Sequence, residues 1–182
     1  MYNPFKKTYS QSEKEQINFL KGVGPFRKLT DDQLFAFVPY LYTRKYRKNE
    51  AVFFTKDPSQ AVYIVNHGII SLSLERNGSF EELDQAGKKE CFGDNAFILD
   101  NHRLYSAIVS SEDAEIFVLP QGNIMDIFES YPEIKASVLE CLIERYNHYT
   151  ESLFKAYKES FGFFELKQAY SDHHNSERNR SL

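Results

Sequence analysis

The middle of the chain constrains its fold most strongly. Between about Tyr42 and Pro120, short β-branched and aromatic stretches alternate with turn residues. Asn77-Gly78 is the strongest hairpin signal, because both residues tolerate positive φ. Many short strands separated by turns every ten or so residues are typical of a sandwich, barrel or jelly roll. The predicted strands lie at residues 51–54, 61–65, 71–74, 80–83, 106–109 and 115–119.

Helical patterns flank this region on both sides. Two capping boxes, at residues 12–15 and 30–33, predict two short helices before the strands. After Gln121 the pattern is helical again, and Tyr131-Pro132 separates a short helix from a long one that we expect to end at Gly162. The long helix carries a heptad-like seam, which predicts pairing with a second copy, although a stripe facing the core is the alternative. The seam consists of Leu139, Leu142, Tyr146, Tyr149, Leu153 and Ala156.

Composition narrows the class of protein. The chain has 182 residues, enough for one domain with a sizeable core, and 22 basic against 26 acidic residues give a formal charge of −4. An acidic balance argues against a nucleic-acid partner. No run approaches the roughly 18 apolar residues of a membrane span, and Cys91 and Cys141 show no disulfide or metal-binding spacing. We therefore expect a cytoplasmic protein with no membrane contact.

Four motifs are ordered along the chain in a specific way. They are YRKNEAVF at 46–53, VYIV at 62–65 followed by Gly68, FGDNAF at 92–97 and SAIV at 106–109. With the flanking helices, this order resembles that of the cyclic-nucleotide-binding domain, found in the sensor domains of catabolite-activator-type regulators, in kinase regulatory subunits and in gated channels. The likeness covers about residues 19–157, and Asn49 stands where the family usually has glycine. It implies a double-stranded β-helix jelly roll with a long C-terminal helix.

The resemblance also implies a division of the chain. It gives an N-terminal helix at 1–25, a jelly roll with its leading helix at 26–130, a long helix at 131–162 that acts as a lid or dimer seam, and a docking segment with a polar tail at 163–182. In the family's DNA-binding regulators, a helix-turn-helix module of about 60 residues follows the long helix. Only 20 residues follow Gly162 here, so we expect a stand-alone sensor domain. The tail segment supplies an exposed aromatic patch of Phe161, Phe163, Phe164 and Tyr170.

The family's phosphate-binding cassette identifies the candidate site. A short helix that begins at Gly93 presents free amides to an anion, and Asp94 matches the acidic residue that accepts a hydrogen bond from the ribose. An arginine neutralises the cyclic phosphate, and a small hydroxyl residue and an alanine follow it. The resemblance therefore implies that cAMP or cGMP binds at Gly93, Asp94, Asn95, Ala96, Arg103, Ser106 and Ala107.

Two positions compete for the arginine of the cassette. Counting forward from Gly93 leads to Arg103, whereas counting backward from Ser106 leads to Tyr105, two residues later. His102 also replaces the usual proline before the arginine. If Arg103 is out of reach, a charge-assisted hydrogen bond of roughly 1.5–3 kcal/mol is lost and binding becomes negligible.

Three hypotheses follow for function. The first is a regulatory module that senses cAMP or cGMP and relays the signal through its C-terminal helix. The second is a degenerate, non-binding roll that serves as a dimeric scaffold for an unknown protein partner. The third is a metal-dependent enzyme on a jelly roll, which His67 and His102 suggest but their spacing disfavours. No nucleophile or phosphate-loop motif is present, so we expect a non-enzymatic protein without a metal or cofactor.

Overall fold

A computed structural model of the chain describes residues 9–76 and 78–161, with side chains as far as residue 159. The helices are α1 (Gln11–Leu20), α2 (Asp31–Phe35), α3 (Gln121–Ser130) and α4 (Pro132–Phe161), with 3₁₀ turns at Gly24–Phe26, Val38–Tyr40 and Asp94–Phe97. The strands are β1 (Tyr42–Arg47), β2 (Ala51–Phe53), β3 (Ala61–His67), β4 (Ile70–Arg76), β5 (Ser79–Ala86), β6 (Cys91–Phe92), β7 (Ser106–Val109) and β8 (Asp113–Pro120).

The strands form two four-stranded antiparallel sheets, in the orders β1-β8-β3-β6 and β2-β7-β4-β5. This β-roll confirms the predicted jelly-roll fold class. β4 and β5 pair as the predicted hairpin, with Arg76 opposite Ser79 and Gly78 at a φ of 79°. β6 was not among the predicted strands, because two residues are too few to show an alternating pattern.

β3 connects two hydrophobic cores. Its alternate side chains point to opposite faces of the sheet. Val62 and Ile64 pack with the helices, whereas Tyr63 and Val65 face the interior of the β-roll. A strand that is buried on both faces appears in the sequence as an unbroken apolar run, which is why this strand was predicted with almost correct bounds.

The start of α1 corrects one prediction. Ser10 is the N-cap: its Oγ accepts a hydrogen bond from the Glu13 amide at 3.3 Å, and Glu13 Oε2 accepts one from the Ser10 amide at 2.7 Å. The capping box predicted at residues 12–15 was wrong by two positions. Both serines precede a glutamate by three residues, so the pattern alone did not distinguish them.

The second capping box is confirmed at Thr30 and Gln33. The helix that follows it is shorter than its apolar pattern indicated and ends at Phe35. Pro39 has no amide hydrogen to donate, so a regular α-helix cannot continue through it. A 3₁₀ turn therefore replaces the expected last turn of α2.

The predicted break at Tyr131-Pro132 is confirmed, since α3 ends one residue before it and α4 begins at Pro132. In the compact unit up to Leu142, α4 buries Ile134, Val138 and Leu142 in the helical core. Within the described residues, no helix has the length and apolar character needed to cross a bilayer. Neither cysteine forms a disulfide there.

Residues 143–182 form a second unit, of which residues 143–161 are described. Tyr146, Tyr149 and Leu153 of the predicted seam are exposed, and the Arg145 guanidinium carbon lies 5.8 Å from the Tyr149 ring centroid. Pairing of this seam with a second copy stays a prediction. Gly162 and the aromatic residues that follow it lie outside the described part of the chain.

The backbone at Asn49 yields a stability prediction. Its φ is 67°, in the left-handed region, and its amide donates to the Val109 carbonyl at 2.9 Å. This conformation explains why the family resemblance expects glycine here, and asparagine tolerates it better than alanine does. We expect Asn49→Ala to lower the free energy of unfolding by about 1 kcal/mol, whereas Asn49→Gly is at least as stable as the natural chain. Urea unfolding measures both, and an equal loss in the two variants would contradict this explanation.

Candidate ligand site in the β-roll

Gly93 is the centre of the candidate site. It precedes the 3₁₀ turn Asp94–Phe97 and has a φ of 67°, so the short helix predicted to begin there is present as a single 3₁₀ turn. A Cβ at this position would lie 2.5 Å from Arg103 Nη1 and 3.2 Å from Tyr63 Cδ2. Glycine is therefore required both by the left-handed backbone and by the close approach of the arginine.

Arg103 lies inside the protein, with only 3% of its surface exposed. Its Nη1 donates to the Gly93 carbonyl at 2.8 Å and to Asn95 Oδ1 at 3.2 Å. Its Nη2 donates to the Ala61 carbonyl at 2.7 Å. The guanidinium thus connects the Gly93 turn to the first residue of β3.

Aromatic faces complete the environment of Arg103. The guanidinium carbon lies 4.2 Å from the Phe53 ring centroid and 5.3 Å from that of Tyr63, which are distances at which a cation is attracted to a ring face. Burial lowers the pKa of Arg103, and the nearby Tyr63, Tyr105 and Asp57 oppose that shift. Because a guanidinium is not deprotonated in proteins, the side chain stays charged, and the carbonyls and rings compensate for its lost hydration.

Four aromatic rings fill the β-roll interior beside Gly93. The Phe53 ring centroid lies 5.5 Å from Tyr63, 5.9 Å from Phe92 and 5.8 Å from Tyr105. Tyr63 and Phe92 stack at 5.3 Å. These separations are those of packed aromatic pairs. The protein's own rings therefore occupy the space next to the cassette turn.

Tyr105 binds one amide at the start of the cassette turn. The Gly93 amide donates a hydrogen bond to the Tyr105 hydroxyl at 2.9 Å. Both residues that competed for the arginine position thus reach Gly93, Arg103 at its carbonyl and Tyr105 at its amide. Tyr105 was not among the predicted site residues, although the backward count from Ser106 pointed to its position.

The remaining predicted residues of the turn are buried or hydrogen-bonded within the protein. Asn95 Oδ1 accepts a hydrogen bond from Ser59 Oγ at 2.9 Å, and its Nδ2 donates to the His102 carbonyl. Asp94 is 8% exposed and Ala96 is completely buried. Gly93, Asn95 and Arg103 are brought into contact by the Arg103 side chain, and the Ala96 amide also donates to the Gly93 carbonyl at 3.1 Å.

Ser106 and Ala107 lie on β7 and are both buried. The Ser106 Oγ accepts a hydrogen bond from the Thr55 amide at 3.0 Å. Ala107 pairs with Phe53 across the β2–β7 ladder, so it contributes to the wall behind the aromatic rings. The hydrogen bond of Ser106 links β7 to the loop after β2, and the pairing of Ala107 links β7 to β2 itself.

The histidines do not assemble a metal centre. Across the described side chains, no group of three or more histidine, cysteine or acidic residues has the arrangement that a metal ion needs. His67 is exposed and its Nε2 lies 3.2 Å from Asp113 Oδ1. His102 pairs with Pro58 in an isolated β-bridge. The part of the chain that the structure describes therefore offers no donor set for the metal-dependent hypothesis.

One segment of the chain matches a known protein family. Residues 43–131 match the family described as Cyclic nucleotide-binding domain. This segment is a cyclic-nucleotide-binding domain. The match contains Gly93, Arg103 and Tyr105, and it confirms the family resemblance seen in the sequence.

Individual relatives are similar to a longer part of the chain than residues 43–131. The chain is 26% identical over 127 residues to the cyclic AMP receptor protein of Thermus thermophilus, and the match covers 69% of this chain and 58% of that protein. Its fold is similar to the sensor domain of the transcriptional regulator DNR from Pseudomonas aeruginosa, with a TM-score of 0.65, 15% identity and coverage of 78% and 95% of the two chains. It is also similar to the regulatory domain of Toxoplasma gondii PKA crystallised with cAMP, with a TM-score of 0.59, 16% identity and coverage of 66% and 46%.

The burial and hydrogen bonds of Arg103 predict that its side chain stabilises the fold. We expect Arg103→Met to lower the free energy of unfolding by about 2–4 kcal/mol, because the Gly93 and Ala61 carbonyls lose charged donors. Arg76→Met is the matched control, since Arg76 is exposed and should change stability by less than about 0.5 kcal/mol. Urea unfolding measures both variants. A small and equal effect would show that the Arg103 guanidinium does not hold the fold together.

Proposed function

We propose that this chain is a regulatory module of the cyclic-nucleotide-binding family in which the protein's own side chains occupy the ligand site. In this proposal it acts through contacts with a protein partner and does not bind cAMP or cGMP. The observation that carries the proposal is the pairing of both polar groups of Gly93. Its amide is bonded to the Tyr105 hydroxyl and its carbonyl to Arg103.

A nucleotide bound at Gly93 would have to break hydrogen bonds that the protein makes within itself. A cyclic phosphate at Gly93 would displace the Tyr105 hydroxyl and pull Arg103 away from the Gly93 and Ala61 carbonyls. Each buried polar group left unpaired costs about 1–3 kcal/mol. The charge-assisted bonds that the phosphate gains are of similar size. Little net affinity remains, because every 1.4 kcal/mol changes a dissociation constant about tenfold.

A regulatory role is supported by the relatives. They include a cyclic AMP receptor protein, the sensor domain of a transcriptional regulator and the regulatory domain of a kinase. Each of these names describes a protein that controls another activity. We infer that this chain also controls a partner.

A cAMP or cGMP sensor is the second candidate. It is favoured by the convergence of Gly93, Asn95 and Arg103 at one place. It is also favoured by Arg103 Nε, which is buried and has no hydrogen-bond partner among the described residues. In this candidate Tyr105 moves away from the Gly93 amide, the guanidinium turns to the phosphate, and the C-terminal helix relays the change.

Calorimetric titration of the full chain separates the two candidates. We expect no saturable heat with either cAMP or cGMP at ligand concentrations up to about 1 mM, which corresponds to a binding free energy weaker than about −4 kcal/mol. Saturable heat at lower concentrations would contradict the proposal and support the sensor. A cooperative urea transition of the same sample verifies that the protein is folded.

A variant of Tyr105 tests what fills the site. We expect Tyr105→Ala to gain measurable cAMP binding, because it frees the Gly93 amide and removes one ring from the interior. Tyr42→Ala is the matched control, since Tyr42 is 41% exposed on β1 and should gain none. Equal behaviour of the two variants would show that the Tyr105 ring is not the group that takes the place of the ligand.

A further inference from the structure

A groove on the helical side of the chain lies outside the β-roll interior. It has a volume of about 540 Å³. α2 and the 3₁₀ turn Val38–Tyr40 form one wall, and α3 and the start of α4 form the other. The buried side chains of Ile127 and Ile134, together with half-buried Phe35, give it an apolar lining. All of these elements belong to the compact unit that ends at Leu142.

The charged side chains described in the lining of this groove are all acidic. Asp32, Asp126 and Glu133 line it, and its described lining contains no lysine, arginine or histidine. Tyr40 and Tyr131 add two exposed aromatic rings, 41% and 48% accessible. We call this surface the acidic groove.

The position of Asp32 is fixed by a neighbour. The Tyr9 hydroxyl donates a hydrogen bond to the Asp32 carboxylate, and the Tyr9 ring packs on Phe35 at 4.9 Å. Burial and the adjacent Asp32 raise the pKa of Tyr9 to about 12. Tyr9 therefore remains a neutral donor near neutral pH and holds the Asp32 side chain in position at the groove.

We propose that the acidic groove binds a short basic segment of a partner protein. Lysine or arginine side chains of the segment pair with Asp126 and Glu133, and the faces of the exposed tyrosines attract the same cations. An apolar side chain of the segment covers the rings of Tyr40, Tyr131 and half-buried Phe35, beneath which Ile127 and Ile134 are buried. A cavity of this volume holds a few side chains of a peptide.

The chemistry of the groove favours a peptide over a small cation. A diamine or polyamine satisfies the carboxylates but leaves the apolar lining in contact with water. A peptide with alternating basic and apolar residues satisfies both. The groove does not involve Gly93, Arg103 or Tyr105, so the inference holds whether or not a nucleotide binds in the β-roll.

Fluorescence anisotropy with the full chain tests the proposal. The probe is a labelled hexapeptide of alternating lysine and phenylalanine, and the control peptide has glutamate in place of lysine. We expect saturable binding of the basic peptide below about 1 mM and none of the acidic one. Binding of the basic peptide should weaken several-fold when salt rises from about 50 to about 300 mM, because exposed ion pairs are screened. No saturation, or equal binding of both peptides, would overturn the proposal.

Paired variants locate the binding surface. Asp126→Asn combined with Glu133→Gln removes two charges from the groove, and we expect it to weaken peptide binding about fivefold or more. Glu81→Gln combined with Asp84→Asn removes two charges from exposed β5 and should leave binding within about twofold. All four substitutions preserve side-chain shape, and melting temperatures verify folding. Equal weakening in both double variants would show general charge attraction and overturn the proposal.

Two further measurements distinguish other occupants. If spermidine competes with the peptide as tightly as unlabelled peptide does, the apolar lining contributes nothing and the peptide proposal fails. If sedimentation shows a dimer that disappears only in the double variant of Asp126 and Glu133, the groove belongs to a second copy of the chain, and this outcome also overturns the proposal.

Discussion

The buried guanidinium of Arg103 joins the parts of the β-roll that surround the candidate site. Its side chain bonds to the Gly93 and Ala61 carbonyls, and its backbone bonds to residues 56 and 57 in the loop between β2 and β3. One residue thus ties the cassette turn to the start of β3 and to the loop that precedes it. The absence of a side chain at Gly93 permits this approach, since a Cβ there would lie 2.5 Å from Arg103 Nη1. Removing the guanidinium would take a charged donor from each of these carbonyls and leave the Gly93 carbonyl with the Ala96 amide at 3.1 Å. This cation therefore belongs to the framework of the fold.

The family match and the chemistry of the site therefore point in different directions. Residues 43–131 match the cyclic-nucleotide-binding domain family, yet the Gly93 amide is bonded to Tyr105 and aromatic rings occupy the space beside it. A fold sets where a site lies, but the individual side chains decide what the site binds. The acidic groove lies among the helices and does not depend on how the β-roll interior is filled. The regulatory role that we propose can therefore operate through a protein contact.

The fold was predictable from the sequence because apolar periodicity and turn residues within short stretches determine most of its strands and helices. The apolar run at β3, the turn at Asn77-Gly78 and the break at Pro132 each follow from one short stretch of residues. The errors occurred where two local solutions were equivalent, as with Ser10 and Ser12 before α1. Of the candidate site residues, Gly93, Asn95 and Arg103 lie in contact, and their role in binding a nucleotide stays a prediction. The direction of the Arg103 side chain and the contact of Tyr105 with Gly93 depend on a tertiary arrangement of loops, and residue spacing does not encode it.

Nitrogen-15 NMR of the arginine side chains tests the central claim most directly, with the Arg103 signals assigned by their absence in Arg103→Lys. We predict that, without any nucleotide, the Arg103 guanidinium protons are resolved and protected from exchange with water, because both Nη groups donate to buried acceptors. These signals should not move when cAMP or cGMP is added at about 1 mM, a concentration at which ligands with useful cellular affinity would saturate. Rapidly exchanging Arg103 protons in the free protein, or a saturable shift of these signals on addition of nucleotide, would contradict the account.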